Sequence, residues 1–281
     1  MEQIVANHKL LQPGDYEAFQ NYLQGVCGIV LGHGKEYLVT SRLSGLMRSN
    51  DIESVGDLLK QVNSGRNQRL QVNIIDAMTT NETFWFRDLS HFQMLTDMIF
   101  PEAEAKPGRS MRIWSAACSS GQEPYNISMT VEKYLTSNRR CLSGGVEILG
   151  TDISNRILEE AKKGIYCGIS ANRGLDAEEQ RRYFTSKDEC IEVRPEIRRR
   201  VKFSNLNIMD GYARLGRFDV VFCRNILIYF SAEKKADIIE RIARSLNPGG
   251  YLFLGSTESM ISHSNEFEMV RRGGGIVYRL K

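Results

Sequence analysis

The residues best suited to chemistry begin with Thr79-Thr-Asn-Glu-Thr-Phe-Trp-Phe-Arg-Asp88, where adjacent aromatics stand beside hydroxyl, amide and guanidinium groups. This composition suits a cover over a ligand. Phe84, Trp85 and Phe86 would anchor it, while Asn81, Thr83 and Arg87 face polar atoms. A strip packed between domains is the alternative. A second candidate is the loop Ser115-Ala-Ala-Cys-Ser-Ser-Gly-Gln-Glu123. Its small residues let a ligand approach the backbone, but it is not GxGxxG. Glu123 stands where a pyrophosphate would need bare amides at a helix N-terminus. A carboxylate there repels phosphate and suits a cation such as an α-ammonium. Asp152 follows another apolar run; as an acceptor-only group it can take both hydroxyl protons of a ribose, or cap a helix. Asn207 and Arg224-Asn225 stand where further runs end, the latter directly before Ile226-Leu-Ile-Tyr229-Phe230. An Asn amide both donates to and accepts from an adenine edge.

Composition narrows the classes. A net charge of +3 is too weak to announce a nucleic-acid binder, and the run Arg198-Arg199-Arg200 has Glu189, Glu192 and Glu196 close by. Cys27, Cys118, Cys141, Cys167, Cys190 and Cys223 are scattered without a CxxC pair, and His8, His33, His91 and His263 form no HExxH. No structural metal is expected. The stretch Met1–Leu11 is not a signal peptide, and no run is long enough to span a bilayer. The expectation is a cytosolic chain without membrane insertion, its cysteines unpaired in a reducing compartment.

The elements that must position these groups fall into two textures. Up to about residue 100 the period is helical: Tyr16, Phe19, Leu23 and Val26 share one face, and Val55, Leu58, Leu59 and Val62 another. Asp15 and Ser54 are the candidate N-caps. Leu70–Met78 and Phe92–Ile99 continue the pattern, and Pro101 to Gly108 reads as a linker. Beyond it, apolar runs at Met111–Ala117, Val146–Gly150, Val201–Leu206, Phe218–Cys223 and Tyr251–Leu254 alternate with helical pieces such as Pro124–Leu135 and Ala232–Leu246. Strands alternating with helices predict a doubly wound α/β fold with a mostly parallel sheet. Phe267–Val270 and Ile276–Leu280 form a terminal antiparallel hairpin across Gly273–Gly275. The segment between Gly164 and Val201 breaks the alternation and reads as an inserted subdomain.

With these residues assembled, the chain resembles the chemotaxis receptor methyltransferases, the CheR family. The resemblance rests on Thr80–Asp88, Gly121-Gln-Glu-Pro-Tyr125, Gly150-Thr-Asp152 and Phe222-Cys-Arg-Asn-Ile-Leu-Ile-Tyr-Phe230, four blocks in order. It implies a small all-helical domain over residues 1–80 that contacts the receptor and a linker that covers the cofactor over 81–108. A methyltransferase domain over 109–281 would follow, with an antiparallel β-subdomain inserted at 165–201. The cofactor implied is S-adenosylmethionine (SAM), leaving S-adenosylhomocysteine. The implied contacts are Asn81, Thr83, Arg87, Glu123, Asp152, Asn207, Ile208, Arg224 and Asn225, with Arg87 and Tyr229 beside the transferred methyl. The implied reaction is methyl esterification of glutamate side chains in the cytoplasmic region of chemoreceptors.

Lys35, Arg42 and Arg48 are the candidate basic docking residues, although Arg48 falls off the face shared by the other two. In some members a Gly-containing loop of the β-subdomain binds a receptor peptide. Here Thr185–Glu192 is short and lacks Gly, which argues against tethering. No Asn-Pro-Pro-Tyr follows the Phe218–Cys223 run and no Pro-Cys occurs, which disfavours methylation of DNA bases. The rival readings are a SAM methyltransferase with another substrate and a non-catalytic SAM-sensing adaptor. Nothing requires an oligomer, and a monomer is expected.

Overall fold

A computed structural model describes residues 10–65, 67–106, 108–137, 142–260 and 265–281. Residues 1–9 with His8, Pro107 of the linker, Cys141 and His263 lie outside them. The chain divides into two compact units. One holds the residues up to Thr80 with Ile153–Asn155 and Tyr229–Lys234, and the other holds the rest.

The first unit contains the helices α1 (Asp15–Cys27), α2 (Glu36–Arg48), α3 (Val55–Asn63) and α4 (Gln68–Met78). Their apolar faces close on one core that includes Phe19, Leu23, Val39, Leu43, Leu58 and Ile74. Ser54 caps α3 as its sequence position predicts, accepting the N–H of Asp57 at 3.1 Å. Asp15 does not cap α1. Gly14 takes that place at φ 86°, a conformation glycine adopts at little cost, and the Asp15 carboxylate accepts the N–H of Gln12 instead. Arg42, one of the candidate docking residues, is half-buried and makes an internal contact. Its guanidinium donates to the carbonyl of Met78 at 2.6 Å and to the hydroxyl of Thr80 at 2.9 Å, closing the C-terminal end of α4. Lys35 and Arg48 are exposed.

The second unit is built on seven strands: β1 (Met111–Ala116), β2 (Val146–Asp152), β6 (Val201–Asn205), β7 (Phe218–Cys223), β8 (Leu246–Leu254), β9 (Phe267–Arg272) and β10 (Gly275–Leu280). Their order is β6-β2-β1-β7-β8-β10-β9, parallel except for the antiparallel β10. The doubly wound sheet with a terminal hairpin is therefore present. The direction of winding reverses between β1 and β7, so a ligand crevice is expected past their carboxyl ends. The flanking helices include α7 (Gln122–Ser137), α8 (Asn155–Lys163) and α12 (Ala232–Ser245). Near the start of the unit, α5 (Leu89–Met94) runs through a π-turn (Leu95–Ile99) into α6 (Phe100–Glu104). This corrects the linker reading at its beginning. Pro101 is tolerated in the first turn, and Phe100 is fully buried in the sheet's core with Phe92, Ile113, Val131, Val220 and Phe222.

The inserted segment carries a separate antiparallel sheet of β3 (Ile165–Cys167), β4 (Phe184–Lys187) and β5 (Cys190–Val193), in the order β3-β5-β4. Its helices are α9 (Ile169–Asn172), α10 (Ala177–Tyr183) and α11 (Pro195–Arg198). Here the expectation of unpaired cysteines fails: Cys167 and Cys190 form a disulfide. Register explains it. The two are directly opposed on β3 and β5, with Cα atoms 4.2 Å apart. Cys27, Cys118 and Cys223 are free and buried.

Candidate active site

The loop from β1 to α7 turns sharply, with Ala117, Ser119 and Gly121 at φ 55°, 51° and 92°. Gly121 is required there twice over: its φ is left-handed, and a Cβ would stand 2.9 Å from that of Ala161. The turn aims the Ser119 N–H at Asp152 Oδ2, 2.9 Å away, while the Ser119 hydroxyl donates to the carbonyl of Asn81 at 2.8 Å. Asn81, Ser119 and Asp152 thus form one connected line from the cover strip to the tip of β2. Asn207 and Ile208 lie two and three residues past the end of β6, which stops one residue short of the apolar run Val201–Leu206. Leu206 N–H, just before them, donates to the Asp152 carbonyl at 2.9 Å. Asn207 Oδ1 accepts the N–H of Met209 at 3.0 Å, and the Ile208 carbonyl accepts the Tyr212 hydroxyl at 2.5 Å.

A second line runs through Arg224, whose side chain is 3% exposed. One nitrogen donates to Glu123 Oε2 at 2.7 Å; another donates to Asp88 Oδ2 at 2.6 Å and to the Arg87 carbonyl at 2.5 Å. The other Glu123 oxygen accepts the Ser115 hydroxyl at 2.7 Å. Burial alone would raise the Asp88 carboxyl, but the hydrogen bond and charge of Arg224 hold it below the ordinary carboxylate range. Arg224 therefore ties the cover strip to β1, α7 and β7. Sequence reading placed it only as a ligand contact and assigned Asp88, Ser115 and Ser119 no role. Asp88 was missed because its partner lies 136 residues away.

The cover strip divides its aromatics. Trp85 is fully buried beside Tyr166 and Phe184 of the small sheet, and its indole N–H donates to the Ser170 carbonyl at 2.8 Å. Phe86 meets Phe92 edge-on and packs toward the main core. Phe84 is not an anchor in that sense. Its half-buried ring carries the guanidinium of Arg173 at 4.4 Å and that of Arg87 at 5.6 Å. Thr83 and Arg87 are half-buried, as is Asn225, which adopts φ 59° at the end of β7. Tyr229 closes the turn Leu227–Tyr229 and belongs to the helical unit, where its carbonyl accepts the N–H of Val30.

Carboxylates gather at the strand tips. Burial raises the thiols of Cys118 and Cys223. Asp152 and Glu123 push the first higher, and Glu258 and Glu123 the second. Asp152, Glu123 and Glu258 thus stand close to two buried thiols at the strand tips, with the Arg224 guanidinium paired to Glu123 among them. A carboxylate suits an ammonium, and an Asp at the β2 tip suits a ribose diol. Among the described residues no cluster of His, Cys, Asp or Glu is arranged to hold a metal.

This sheet order and the polar groups at its strand tips fit a SAM-dependent methyltransferase. Comparison with known sequences narrows the class. Residues 81–274 match "CheR methyltransferase, SAM binding domain" and residues 14–79 match "CheR methyltransferase, all-alpha domain". The chain belongs to the CheR methyltransferase family. It is 48% identical over 269 residues to chemotaxis protein methyltransferase 1 of Pseudomonas aeruginosa, covering 95% of this chain and 98% of that one. It is 46% identical to chemotaxis protein methyltransferase Cher2 of Pseudomonas putida with the same coverage. The chemotaxis protein methyltransferase of Salmonella typhimurium is 34% identical, covering 90% and 85%. Among the described residues no helix is long and apolar enough to cross a membrane.

Proposed function

We propose that this chain methyl-esterifies glutamate side chains in the cytoplasmic region of chemoreceptors, with SAM as methyl donor. The observation that carries this reading is its end-to-end similarity to proteins named chemotaxis protein methyltransferases. When bound, SAM supplies an electrophilic methyl on a sulfonium. Glu123 and Asp152 are the carboxylates that accept from the ammonium and the ribose, since a carboxylate oxygen can accept more than one bond. Asn81 and Thr83 border the ligand from the cover strip, and Asn207, Ile208 and Asn225 border it from the strand tips. Arg224 contributes mainly by holding Glu123 and the strip in place.

The attacking group needs no base, because a glutamate with an ordinary pKa of about 4.3 is already ionised at neutral pH. What remains for the protein is to orient that carboxylate and exclude water. Arg87, placed by Phe84, orients it, and Tyr229 borders the transferred methyl. Too tight a pairing with Arg87 would stabilise the ground state and slow transfer. Arg87→Ala is expected to lower turnover about 100-fold, the scale of a misplaced reactant. Wild-type turnover would remove Arg87 from the mechanism.

Lys35, Arg42 and Arg48 are the basic residues of the helical unit proposed to meet an acidic receptor surface, and the protein is proposed to act as a cytoplasmic monomer. The deciding experiment incubates methyl-labelled SAM with receptor-containing membranes, then treats the product with mild base. Volatile labelled methanol is expected. Label that resists base, or transfer that ignores the receptor, would refute the assignment.

A further inference from the structure

Past the end of β8 the chain reads Gly255-Ser-Thr-Glu258, and Glu258 folds back on the loop that leaves β7. Its Oε2 accepts the backbone N–H of Asn225 at 2.7 Å and that of Gly255 at 2.8 Å. Its Oε1 accepts the N–H of Ile228 at 3.3 Å. The Glu258 N–H in turn donates to the Gly255 carbonyl at 2.9 Å. One carboxylate therefore closes its own turn and grips the neighbouring loop at two points.

Three features make this grip specific to the loop's conformation. Asn225 sits at φ 59°, a left-handed geometry uncommon for residues other than glycine, although Asn tolerates it better than most. The Asn225 N–H bond to an ionised acceptor is of the stronger, charge-assisted kind. Gly255 leaves the room: a Cβ there would stand 2.6 Å from Asn225 Nδ2 and 2.8 Å from Glu258 Oε2. The second gripped residue, Ile228, lies in the turn whose last residue is Tyr229. Glu258 and Asn225 are both half-buried, so water can reach N–H groups that lose the carboxylate. The ladder of β7 with β8 does not depend on this side chain.

We propose that Glu258 is a positioning residue for methyl transfer. It sets the conformation of Asn225 and of the turn ending in Tyr229, and Gly255 provides the space this arrangement needs. The inference rests on the placement of SAM beside Asn225 proposed above. Glu258 acts through the backbone of the loop and need not touch the cofactor.

The test measures S-adenosylhomocysteine affinity by titration calorimetry, and kcat and KM with receptor-containing membranes, on the full-length chain. The variants are Glu258→Ala, Glu258→Asp and Gly255→Ala. Glu258→Ala and Gly255→Ala should each weaken affinity about tenfold and lower kcat per binding-competent molecule, with circular dichroism unchanged. Glu258→Asp, which keeps the charge on a shorter arm, should fall between them and the wild type. The double alanine variant should be little worse than the worse single, because both changes release the same residue. If Glu258→Ala does not fold, Gly255→Ala and Glu258→Asp decide. Folded variants with wild-type affinity and turnover would overturn the role, as would losses that only track the folded fraction. A wild-type chain that binds no S-adenosylhomocysteine would instead overturn the proposed function.

Discussion

Arg224 brings a permanent charge into the protein, and its partners show how that is tolerated. Asp88 and Glu123 neutralise it, and the Arg87 carbonyl takes a third bond. Removing one member of such a buried set strands the others, so Arg224→Ala should cost about 3–5 kcal/mol in denaturant unfolding. Lysine would not restore it, since one ammonium does not reproduce the planar fork. Beside this set lies His91, buried against Phe253, with a ring nitrogen that finds no hydrogen-bond partner among the described residues. Burial, reinforced by the Arg224 charge and opposed by Asp88, pushes its pKa down to about 4. The folded protein thus keeps His91 neutral where the unfolded chain, near 6.5, takes up a proton. Stability should therefore fall as pH drops from about 6.5 toward 4, by about 3 kcal/mol at most. His91→Gln should flatten that part of a stability-against-pH curve; an unchanged slope would assign the effect elsewhere. At this scale the sequence showed which charges end strands. Whether a charge faces a ligand or another side chain depends on partners more than a hundred residues away.

At the scale of elements, the parallel strands were legible because two buried faces leave near-continuous apolar runs with polar residues just beyond their ends. Phe218–Cys223 is such a run, and it is β7 to the residue. Short elements carried no comparable signal. β3 has three residues, and its register against β5, which opposes Cys167 and Cys190, follows from pairing alone. The two cysteines are separated by 23 positions and match no spacing motif. A cross-link closing a loop of that length contributes about 3 kcal/mol to the element it ties. Cys167→Ser should accordingly raise amide hydrogen exchange across residues 165–193, and reduction of the parent protein should do the same. Equal exchange in oxidised, reduced and substituted protein would show that the sheet holds without the bond. The beginning of the segment Pro101 to Gly108 departs from a linker for a similar reason: Phe100 beside Pro101 is buried, and the turn it starts is helical.

For the whole molecule, the all-helical part and the doubly wound part were both visible in the change of hydrophobic period near residue 100. The excursions of the chain were not. Ile153–Asn155 and Tyr229–Lys234 belong to the helical unit although they arise from loops after β2 and β7. No local pattern announces such a return. The proposed cofactor site makes a prediction at this scale. S-adenosylhomocysteine at about 100 times its Kd should stabilise the folded chain by about 2.7 kcal/mol. That corresponds to an increase of about 5–10 °C in the thermal midpoint of a unit of this size. A midpoint that does not move at saturation would place the ligand elsewhere or nowhere.

The small sheet has a consequence of another kind. β3 is an outer strand only three residues long, the sort of piece that peels away and is traded for its twin on a neighbouring molecule. Stitched to β5 through Cys167 and Cys190, it cannot be lent out. In oxidised protein, strand exchange through β3 is closed as a route to entangled pairs, and crowding the chain to high concentration does not reopen it.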